Sequence, residues 1–365
     1  MLTGGEIMVK CLEAEGVDIL FGYPGAAICP FYDALYDSPI RHVLVRSEQN
    51  AAHMASGYAR ASGRPGVCVA TSGPGATNLI TGIATAYMDS IPIVAITGQV
   101  NLEQLGRDVF QEADITGACE SFTKHSYLVK SVEDLPRVFK EAFHIASTGR
   151  PGPVLIDIPI DVQEQSLKKF YYPEEVSIRG YKPSVKGNDL QIKRVVEAIS
   201  RSKQPLICAG GGVWLADAKE ELLELAERCS IPVVKTMMGL GLLPTDHPLN
   251  MGMIGAHGNH CANKALAKAD LLIMVGTRAA DRAMVDPGEI QRRMATIHID
   301  VDPAEIGKNM QAAIPLVGNV KVILRQILDQ LHLVRLALLL HELDGFLAGQ
   351  LEALQLQLLL ADLPH

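Results

Sequence analysis

Short apolar runs rich in valine and isoleucine recur through the first 160 residues, each ending in glycine or a polar turn and separated by helix-length stretches. The five runs are VDILFG (17 to 22), HVLVRS (42 to 47), GVCVATSG (66 to 73), IPIVAITG (91 to 98) and PVLIDIP (153 to 159). Nearly continuous apolar strands are typical of a parallel sheet that helices cover on both faces. The pattern predicts a doubly wound α/β domain, whose ligands bind beyond the carboxyl ends of its strands.

At 365 residues the chain is long enough for two such domains. The polar, Pro/Gly-punctuated segment 166–189 is typical of a linker. Four further strand-like runs follow it (205 to 212, 231 to 236, 269 to 276 and 295 to 302), with a helix at about 216 to 229. This alternation indicates a second parallel sheet. We therefore predict a first domain at 1–165 and a central domain at 190–331.

Residues 332–365 differ abruptly in composition, since leucine makes up fifteen of the last 35 residues of the chain. Arg335, His341, Glu342 and Asp344 interrupt the apolar run, which argues against a membrane span of ~18 or more nearly uncharged residues. Two interpretations remain for this Leu-rich tail. It is either an amphipathic helix that packs on a partner or an aberrant, frameshifted C-terminus.

Charge and cysteine usage narrow the class of protein. The net charge is −8 and the lysines and arginines form no basic run, so we expect no nucleic-acid partner. The seven cysteines include no CxxC pair, which favours neither a zinc knuckle nor a disulfide framework and fits a reducing cytoplasm. The N-terminal segment has charges among its apolar positions and predicts an amphipathic helix, not a signal peptide. We expect a cytoplasmic protein that does not enter the membrane.

One segment, HGNHCAN, brings His257, His260 and Cys261 close together in the sequence. Structural zinc sites take four ligands of these types. Because no fourth ligand lies nearby, we predict no metal site in this chain.

Three predicted strand ends of the first domain carry glycine-rich or polar motifs: FGYPGAAICP (21 to 30), EQNAAHMA (48 to 55) and TSGPGATN (71 to 78). The last predicts a strand end, a tight turn and a helix start, with glycine where the backbone must approach something closely. From the residues alone, this turn is either structural or a ligand loop. Glu48 leaves the same choice open, because a carboxylate after a buried strand can cap the next helix or act on a ligand.

Together with FQEAD (110 to 114), TKH (123 to 125) and GRPGPVLIDIP (149 to 159), these motifs resemble the thiamine diphosphate enzymes, above all the large catalytic subunits of acetolactate (acetohydroxyacid) synthases. The resemblance covers about residues 1 to 330. It implies that 1–165 is a pyrimidine-binding domain and 190–331 a central FAD or nucleotide-binding domain. It also implies the reaction, which is decarboxylation of pyruvate and carboligation to a second 2-keto acid in branched-chain amino acid biosynthesis.

Under this resemblance, Glu48 is the carboxylate that activates the cofactor. Thiamine diphosphate must lose the C2 proton of its thiazolium ring to its own 4′-imino group, which requires a protonated N1′ on the aminopyrimidine. A carboxyl group in an apolar pocket can share a proton with that ring nitrogen. Phe110 and Gln111 resemble the pair that the family places over the reacting centre, where a neutral amide can hydrogen-bond developing negative charge.

Other positions match family residues around the cofactor. Those around the pyrimidine ring and the neighbouring subunit's cofactor are Tyr23, Pro24, Gly25, Ala26, Thr71, Pro74 and Asn78. Those of an FAD site are Arg150, Gly210, Gly211, Gly212, Thr236, His257, Gly258, Gly276, Arg278, Arg282 and Asp300. Departures from the family pattern are Ala279 and Ala280 in place of an acidic segment, Asn319 in place of Asp, and Ile160 in place of a lysine near the substrate channel.

In these enzymes, Mg²⁺ and the diphosphate are held by another domain through a GDG motif, which this sequence does not contain. The pyrimidine domain of one subunit faces that domain of another, so the resemblance implies a homodimer or larger assembly, with a small regulatory subunit as a further partner. We expect this chain to be C-terminally truncated and inactive alone. Two alternatives stay open: another thiamine diphosphate-dependent 2-keto acid decarboxylase or carboligase, or a non-catalytic nucleotide-binding or assembly module.

Overall fold

The computed structural model describes residues 1–284 and 286–333. The chain divides into two compact units between Pro183 and Ser184, a point inside the predicted linker 166–189. The predicted domain limits 1–165 and 190–331 stay predictions. Both interpretations of the Leu-rich tail concern residues that lie, from 334 to 365, outside the described part of the chain.

The first unit is built on six strands: Ile19–Gly22 (β2), Arg41–Leu44 (β3), Gly66–Ala70 (β4), Ile93–Gln99 (β5), His125–Leu128 (β6) and Val154–Pro159 (β7). Every neighbouring pair is parallel, and the strand order is β3-β2-β4-β5-β7-β6. A separate antiparallel pair joins Leu2–Thr3 (β1) to Ser166–Leu167 (β8). The parallel sheet predicted from the apolar runs is confirmed.

Helices connect these strands. They are Gly4–Ala14 (α1), Cys29–Tyr36 (α2), Glu48–Ser62 (α3), Pro74–Asn78 (α4), Ile80–Met88 (α5), Ile115–Cys119 (α6), Leu135–Ser147 (α7) and Ile160–Glu164 (α8), with short 3₁₀ turns at Ala26–Ile28, Leu102–Gln104, Glu120–Phe122 and Val132–Asp134. The predicted amphipathic N-terminal helix is α1. It begins with a capping box, in which Glu6 N donates to Thr3 Oγ1 (3.2 Å) and Thr3 N donates to Glu6 Oε2 (2.6 Å).

The sheet of the first unit is buried on both faces, as a doubly wound fold requires. Successive residues of β4 belong to different core clusters, with Val67 and Val69 in one and Cys68 and Ala70 in the other. Because side chains alternate across a strand, the two clusters cover opposite faces. This is why the strand reads as an unbroken apolar run.

The second unit repeats this architecture with the strands Pro205–Ala209 (β9), Val233–Lys235 (β10), Asn250–Met253 (β11), Leu271–Val275 (β12), Ala295–Asp300 (β13) and Ile314–Val317 (β14). All pairs are parallel, in the order β11-β10-β9-β12-β13-β14. Its helices are Asp189–Arg201 (α9), Gly211–Leu215 (α10), Lys219–Cys229 (α11), His260–Lys268 (α12) and Pro287–Arg293 (α13), a 3₁₀ turn at Met237–Gly239, and a helix at 320–333.

In the two parallel sheets, the strands that sequence analysis did not predict are β6, β11 and β14. Each lies at an edge of its sheet, and most of their residues are only partly buried. A half-exposed edge strand needs no continuous apolar run, and the segments HSYL and NMGM contain none. The apolar pattern therefore located every central strand and one edge strand, β3, and missed the other three edge strands of the parallel sheets.

Lys235, at the end of β10, is 4% exposed, although lysine is rarely buried without a partner. It pairs in register with Ala209 and Met253. Within residues 1–284 and 286–333, its ammonium group makes no hydrogen bond or ion pair, and burial lowers its pKa from the ordinary 10.5. The second unit therefore carries an unfavourable buried amine.

Lys235→Met is expected to raise the free energy of unfolding of the second unit by about 1 kcal/mol at neutral pH, because it removes the desolvation cost. The gain shrinks at high pH. Because the pKa of Lys235 is lower in the folded protein than in the unfolded chain, the wild-type protein becomes more stable as the pH rises toward 10.5, the ordinary pKa of lysine. Urea unfolding followed by the fluorescence of Trp214, the single tryptophan, measures it. A less stable variant would contradict this account.

Candidate functional site

The segments that follow β2 and β4 meet at the carboxyl edge of the first sheet. Ala27 N donates to Thr71 Oγ1 at 3.2 Å. A Cβ on Gly25 would lie 2.6 Å from Thr71 Cβ, which is too close for any residue other than glycine. The FGYPG and TSGPG motifs are thus in direct contact, as expected for neighbouring parallel strands.

Glu48 is the first residue of α3 and is half-buried. Its Oε2 accepts a hydrogen bond from Asn78 Nδ2 at 3.0 Å. Its Oε1 lies 3.4 Å from where a Cβ on Gly75 would be. The carboxylate is therefore turned toward the TSGPG turn and α4. Its one hydrogen bond among the described residues comes from the side-chain amide of Asn78. Its place in the first turn of α3 also suits the helix dipole, so both interpretations of Glu48 stay open.

The segment 106–114, which we call the FQEAD loop, closes the other side of this turn. Gly73 has a φ of +57°, and a Cβ on it would lie 2.8 Å from Gln111 Cα. Gln111 itself has a φ of +57°, a conformation that costs a non-glycine residue of the order of 1 kcal/mol and often occurs at functional sites. Phe110 beside it is 85% exposed. Phe110 and Gln111 therefore lie next to the turn that Glu48 faces.

The other positions predicted around the pyrimidine form the rim of this cluster. Thr71 is buried at 9% exposure, whereas Tyr23 is 43% exposed. Pro24, Ala26, Pro74 and Asn78 are also exposed. The first unit thus brings the seven positions predicted around the pyrimidine to one sheet edge, together with Glu48, Phe110 and Gln111, and most of these ten residues are exposed.

Glu112 is a residue of this site to which sequence analysis gave no role. Its Oε1 accepts from Gly106 N and its Oε2 from Val109 N at 3.1 Å. These backbone donors, Gly106 first, lower the pKa of the Glu112 carboxyl below its usual range. The charged form of Glu112 therefore closes the FQEAD loop on itself. Its only sequence signal is its place beside Gln111.

The TKH motif has a structural role in this fold. Lys124 Nζ donates to Thr148 O (2.7 Å), to Ile145 O and to Tyr181 OH (2.9 Å). These carbonyls lie at the C-terminus of α7, where a cation is favourable. Lys124 also borders a cavity of about 440 Å³ that includes none of the pyrimidine-site residues. The motif helps to build the unit, away from the candidate site.

In the second unit, the glycines predicted to approach a nucleotide pack against each other. A Cβ on Gly210 would lie 2.4 Å from Gly276 O, and one on Gly212 would lie 2.7 Å from Gly276 Cα. A Cβ on Gly211 would lie 3.0 Å from Met238 Cβ. The close approach that requires glycine here is therefore between the turns after β9 and β12. These contacts explain the triple glycine without a ligand.

Some of the remaining predicted FAD positions lie at the carboxyl ends of the strands of the second sheet. Thr236 follows β10, with its N donating to Ala209 O at 3.0 Å, and Asp300 ends β13 at 8% exposure. Arg278 is half-buried, whereas the side chain of Arg282 is 82% exposed. A Cβ on Gly258 would lie 2.5 Å from Met253 O, so this glycine too is needed for packing.

Arg150 and His257 complete that set. Arg150 belongs to the first unit, where its Nε donates to Ser90 Oγ at 2.9 Å and its guanidinium lies 5.9 Å from the centre of the Tyr87 ring. His257 is exposed. Among the described residues, no group of three His, Cys, Asp or Glu side chains could hold a metal ion, and no helix is long and apolar enough to cross a membrane.

Two domain families match the chain. Residues 2–118 match the N-terminal TPP binding domain of thiamine pyrophosphate enzymes, and residues 192–327 match their central domain. The chain therefore belongs to the thiamine pyrophosphate enzyme family.

Within that family, relatives of the chain include acetolactate synthases. Over 90% of its length the chain is 54% identical to a probable acetolactate synthase large subunit of Methanocaldococcus jannaschii and 50% identical to an acetolactate synthase of Mycobacterium bovis, covering 56% and 53% of those proteins. Over 91% it is 46% identical to an acetolactate synthase large subunit of Haemophilus influenzae, covering 58%. The chain spans about half the length of the curated relatives it matches.

Proposed function

We propose that the chain supplies the pyrimidine-binding, activating half of an acetolactate synthase. The observation that carries this proposal is the position of the Glu48 carboxylate. It is held by Asn78 on one oxygen and faces the Gly75 backbone with the other, at the edge where the FGYPG and TSGPG motifs meet. The similarity to acetolactate synthases over 90% of the chain supports the choice of reaction.

The residues present fit the pyrimidine ring of thiamine diphosphate. Gly25 and Gly75 both pack against the Thr71 side chain, where a Cβ would lie 2.6 and 2.7 Å from it, and this packing brings the FGYPG and TSGPG motifs together beside the Glu48 carboxylate. The chemistry that suits a ring nitrogen is this half-buried carboxylate, one oxygen of which is held by Asn78. When bound, thiamine diphosphate supplies the carbon that attacks a 2-keto acid and accepts the electrons released with CO₂. In this proposal Glu48 holds a proton between its carboxyl group and N1′, and the exposed Tyr23 and Pro24 shape the rim.

Gln111 and Phe110 act on the substrate side of the same site. The Gln111 amide donates a hydrogen bond to the carboxylate of a 2-keto acid or to the oxygen that becomes negative during carbon–carbon bond formation. Phe110, which is 85% exposed, covers the reacting atoms and excludes water. The strained backbone at Gln111 keeps the two side chains beside the turn that Glu48 faces.

Further parts of the proposal concern the whole enzyme. Pyruvate and a second 2-keto acid are the substrates, and Mg²⁺ binds the diphosphate through a domain outside this sequence. The enzyme is cytoplasmic, at least dimeric, and assembles with a small regulatory subunit, which the name "large subunit" of its relatives supports. FAD binds the carboxyl edge of the second sheet, where Thr236 and Asp300 lie. The visible absorption of a flavin in the purified protein tests that last part.

The test of the proposal is acetolactate formation from pyruvate by the chain mixed with a separately expressed diphosphate-binding domain of an acetolactate synthase. Acetolactate that depends on both components, on Mg²⁺ and on thiamine diphosphate is the expected result. Release of an aldehyde instead would favour a different thiamine diphosphate-dependent decarboxylase. Neither product, together with no binding of thiamine diphosphate to the mixture, would favour a nucleotide-binding or assembly module.

A further inference from the structure

Two glutamine side chains of the first unit are buried. Gln99, the last residue of β5, is 2% exposed, and Gln163 in α8 is fully buried. Glutamine is mostly a surface residue, and a buried amide is unfavourable unless it is hydrogen-bonded. In each case, the side-chain NH₂ group makes two hydrogen bonds.

Gln163 joins the segment 23–28, which we call the FGYPG loop, to β7. Its Nε2 donates to Ile158 O at 2.9 Å and to Ala27 O at 2.8 Å. On the other side of the same residue, Ala27 N donates to Thr71 Oγ1 at 3.2 Å. Both polar backbone groups of Ala27 are therefore fixed by buried side chains.

Gln99 joins the FQEAD loop to the same strand. Its Nε2 donates to Asp157 Oδ2 at 3.0 Å and to Ala113 O at 2.8 Å, and its Oε1 accepts from Val100 N at 2.9 Å. Asp157, which is 1% exposed, also accepts from Thr97 Oγ1 at 2.7 Å. Ala113 lies two residues after Gln111, so this bond anchors the end of the loop that carries Phe110 and Gln111.

The two connections are alike. One N–H of each side-chain amide donates a hydrogen bond to a residue of β7, and the other donates to a loop carbonyl. The Gln163 Oε1 atom is buried without a partner among the described residues. Such an acceptor costs free energy, so an apolar side chain would fill this space at less cost. What an apolar side chain cannot do is hold Ala27 O at a fixed distance from β7.

We propose that Gln99 and Gln163 are positioning residues that tie the two loops of the site to β7 and so set the distance between Gln111 and the pyrimidine surface. The inference rests on the proposed function for the meaning of that distance. The ties themselves belong to the first unit alone and can be tested without cofactor or substrate.

The experiment is native hydrogen exchange on the intact chain and on two isosteric variants, Gln99→Met and Gln163→Met. In wild type, each loop has protected amides: Ala27 and Ile28 in the FGYPG loop, and Glu112 and Ile115 in and just after the FQEAD loop. Gln163→Met is expected to speed exchange of the first pair about tenfold and leave the second unchanged. Gln99→Met is expected to do the reverse. Each variant serves as the control for the other.

A merely structural role predicts a different pattern, because general destabilisation speeds exchange in both loops and in the amides of β5 together. That uniform pattern, or no change in either loop, would overturn the proposal. If Gln99→Met does not fold, Gln99→Asn replaces it, since its shorter side chain cannot reach Ala113 O. The two tests are separable. If each variant speeds exchange only in its own loop but the reconstituted mixture forms no acetolactate, the positioning role of Gln99 and Gln163 stands and the proposed function is rejected.

Discussion

Glu48→Gln is expected to reduce acetolactate formation by the reconstituted enzyme by roughly 10²- to 10⁴-fold, the range for loss of a general acid or base. Glutamine keeps the size of the side chain and an oxygen that can accept from Asn78 Nδ2, as Glu48 does at 3.0 Å. It has no carboxyl proton to share with the ring nitrogen. The geometry of the site should therefore survive while activation of the cofactor fails. Initial rates of acetolactate formation, with folding verified by circular dichroism, measure the effect.

The matched control is Glu174→Gln, which removes the same charge from an exposed position in the first unit. It should leave the rate within about twofold, because exposed charges away from the site contribute little. If Glu48→Gln were as active as this control, Glu48 would be a structural residue. Its bond with Asn78 would then only join α3 to α4.

The second large effect concerns Asp157, whose pKa is raised from 3.8 to about 7, chiefly because burial disfavours its charged form. Hydrogen bonds from Thr97 and Gln99 oppose that shift in part. Between about pH 4 and about pH 7, the folded protein keeps a proton that the unfolded chain has lost. Stability therefore falls as pH rises through this range. The total loss of folding stability due to this one group is about 4 kcal/mol, and the loss does not increase further once the pH is above the folded-state pKa.

Asp157→Asn should lack this pH dependence, because an amide can accept from Gln99 and donate to Thr97 without a charge. The variant is expected to be the more stable protein at pH 8 and to lose that advantage at about pH 4. Exchange of the slowest β5 and β7 amides, compared at equal pH, reports the unfolding of this unit. Asp33→Asn, at an exposed position, is the control. Equal pH slopes for wild type and Asp157→Asn would contradict the account.

The central strands of both sheets were predictable because each is buried on two faces and is therefore mostly apolar. Edge strands such as β6 and β11 were not, since partial exposure removes the apolar signal. Thr71 and Gly25 lie in contact because neighbouring parallel strands end at the same edge of the sheet. The roles of Glu48 and Gln111 came from family resemblance and remain predictions.

What sequence analysis missed are the polar residues that support the site. Thr97, Gln99 and Asp157 interrupt the runs IVAITGQ and VLIDIP, and a polar residue inside a buried strand signals an internal hydrogen bond. That signal does not name the partner. Ala113 and Ala27 contribute only carbonyl oxygens, which any residue has, so their contacts with the glutamines appear only in three dimensions.

The most direct measurement of the central claim is deuterium exchange at C2 of thiamine diphosphate, followed by proton NMR before any substrate is added. The chain with a diphosphate-binding domain and Mg²⁺ should accelerate this exchange well above that of the cofactor with the domain alone. The Glu48→Gln variant should not accelerate it. Equal exchange rates with wild type and Glu48→Gln would contradict the assignment of Glu48 as the activating carboxylate.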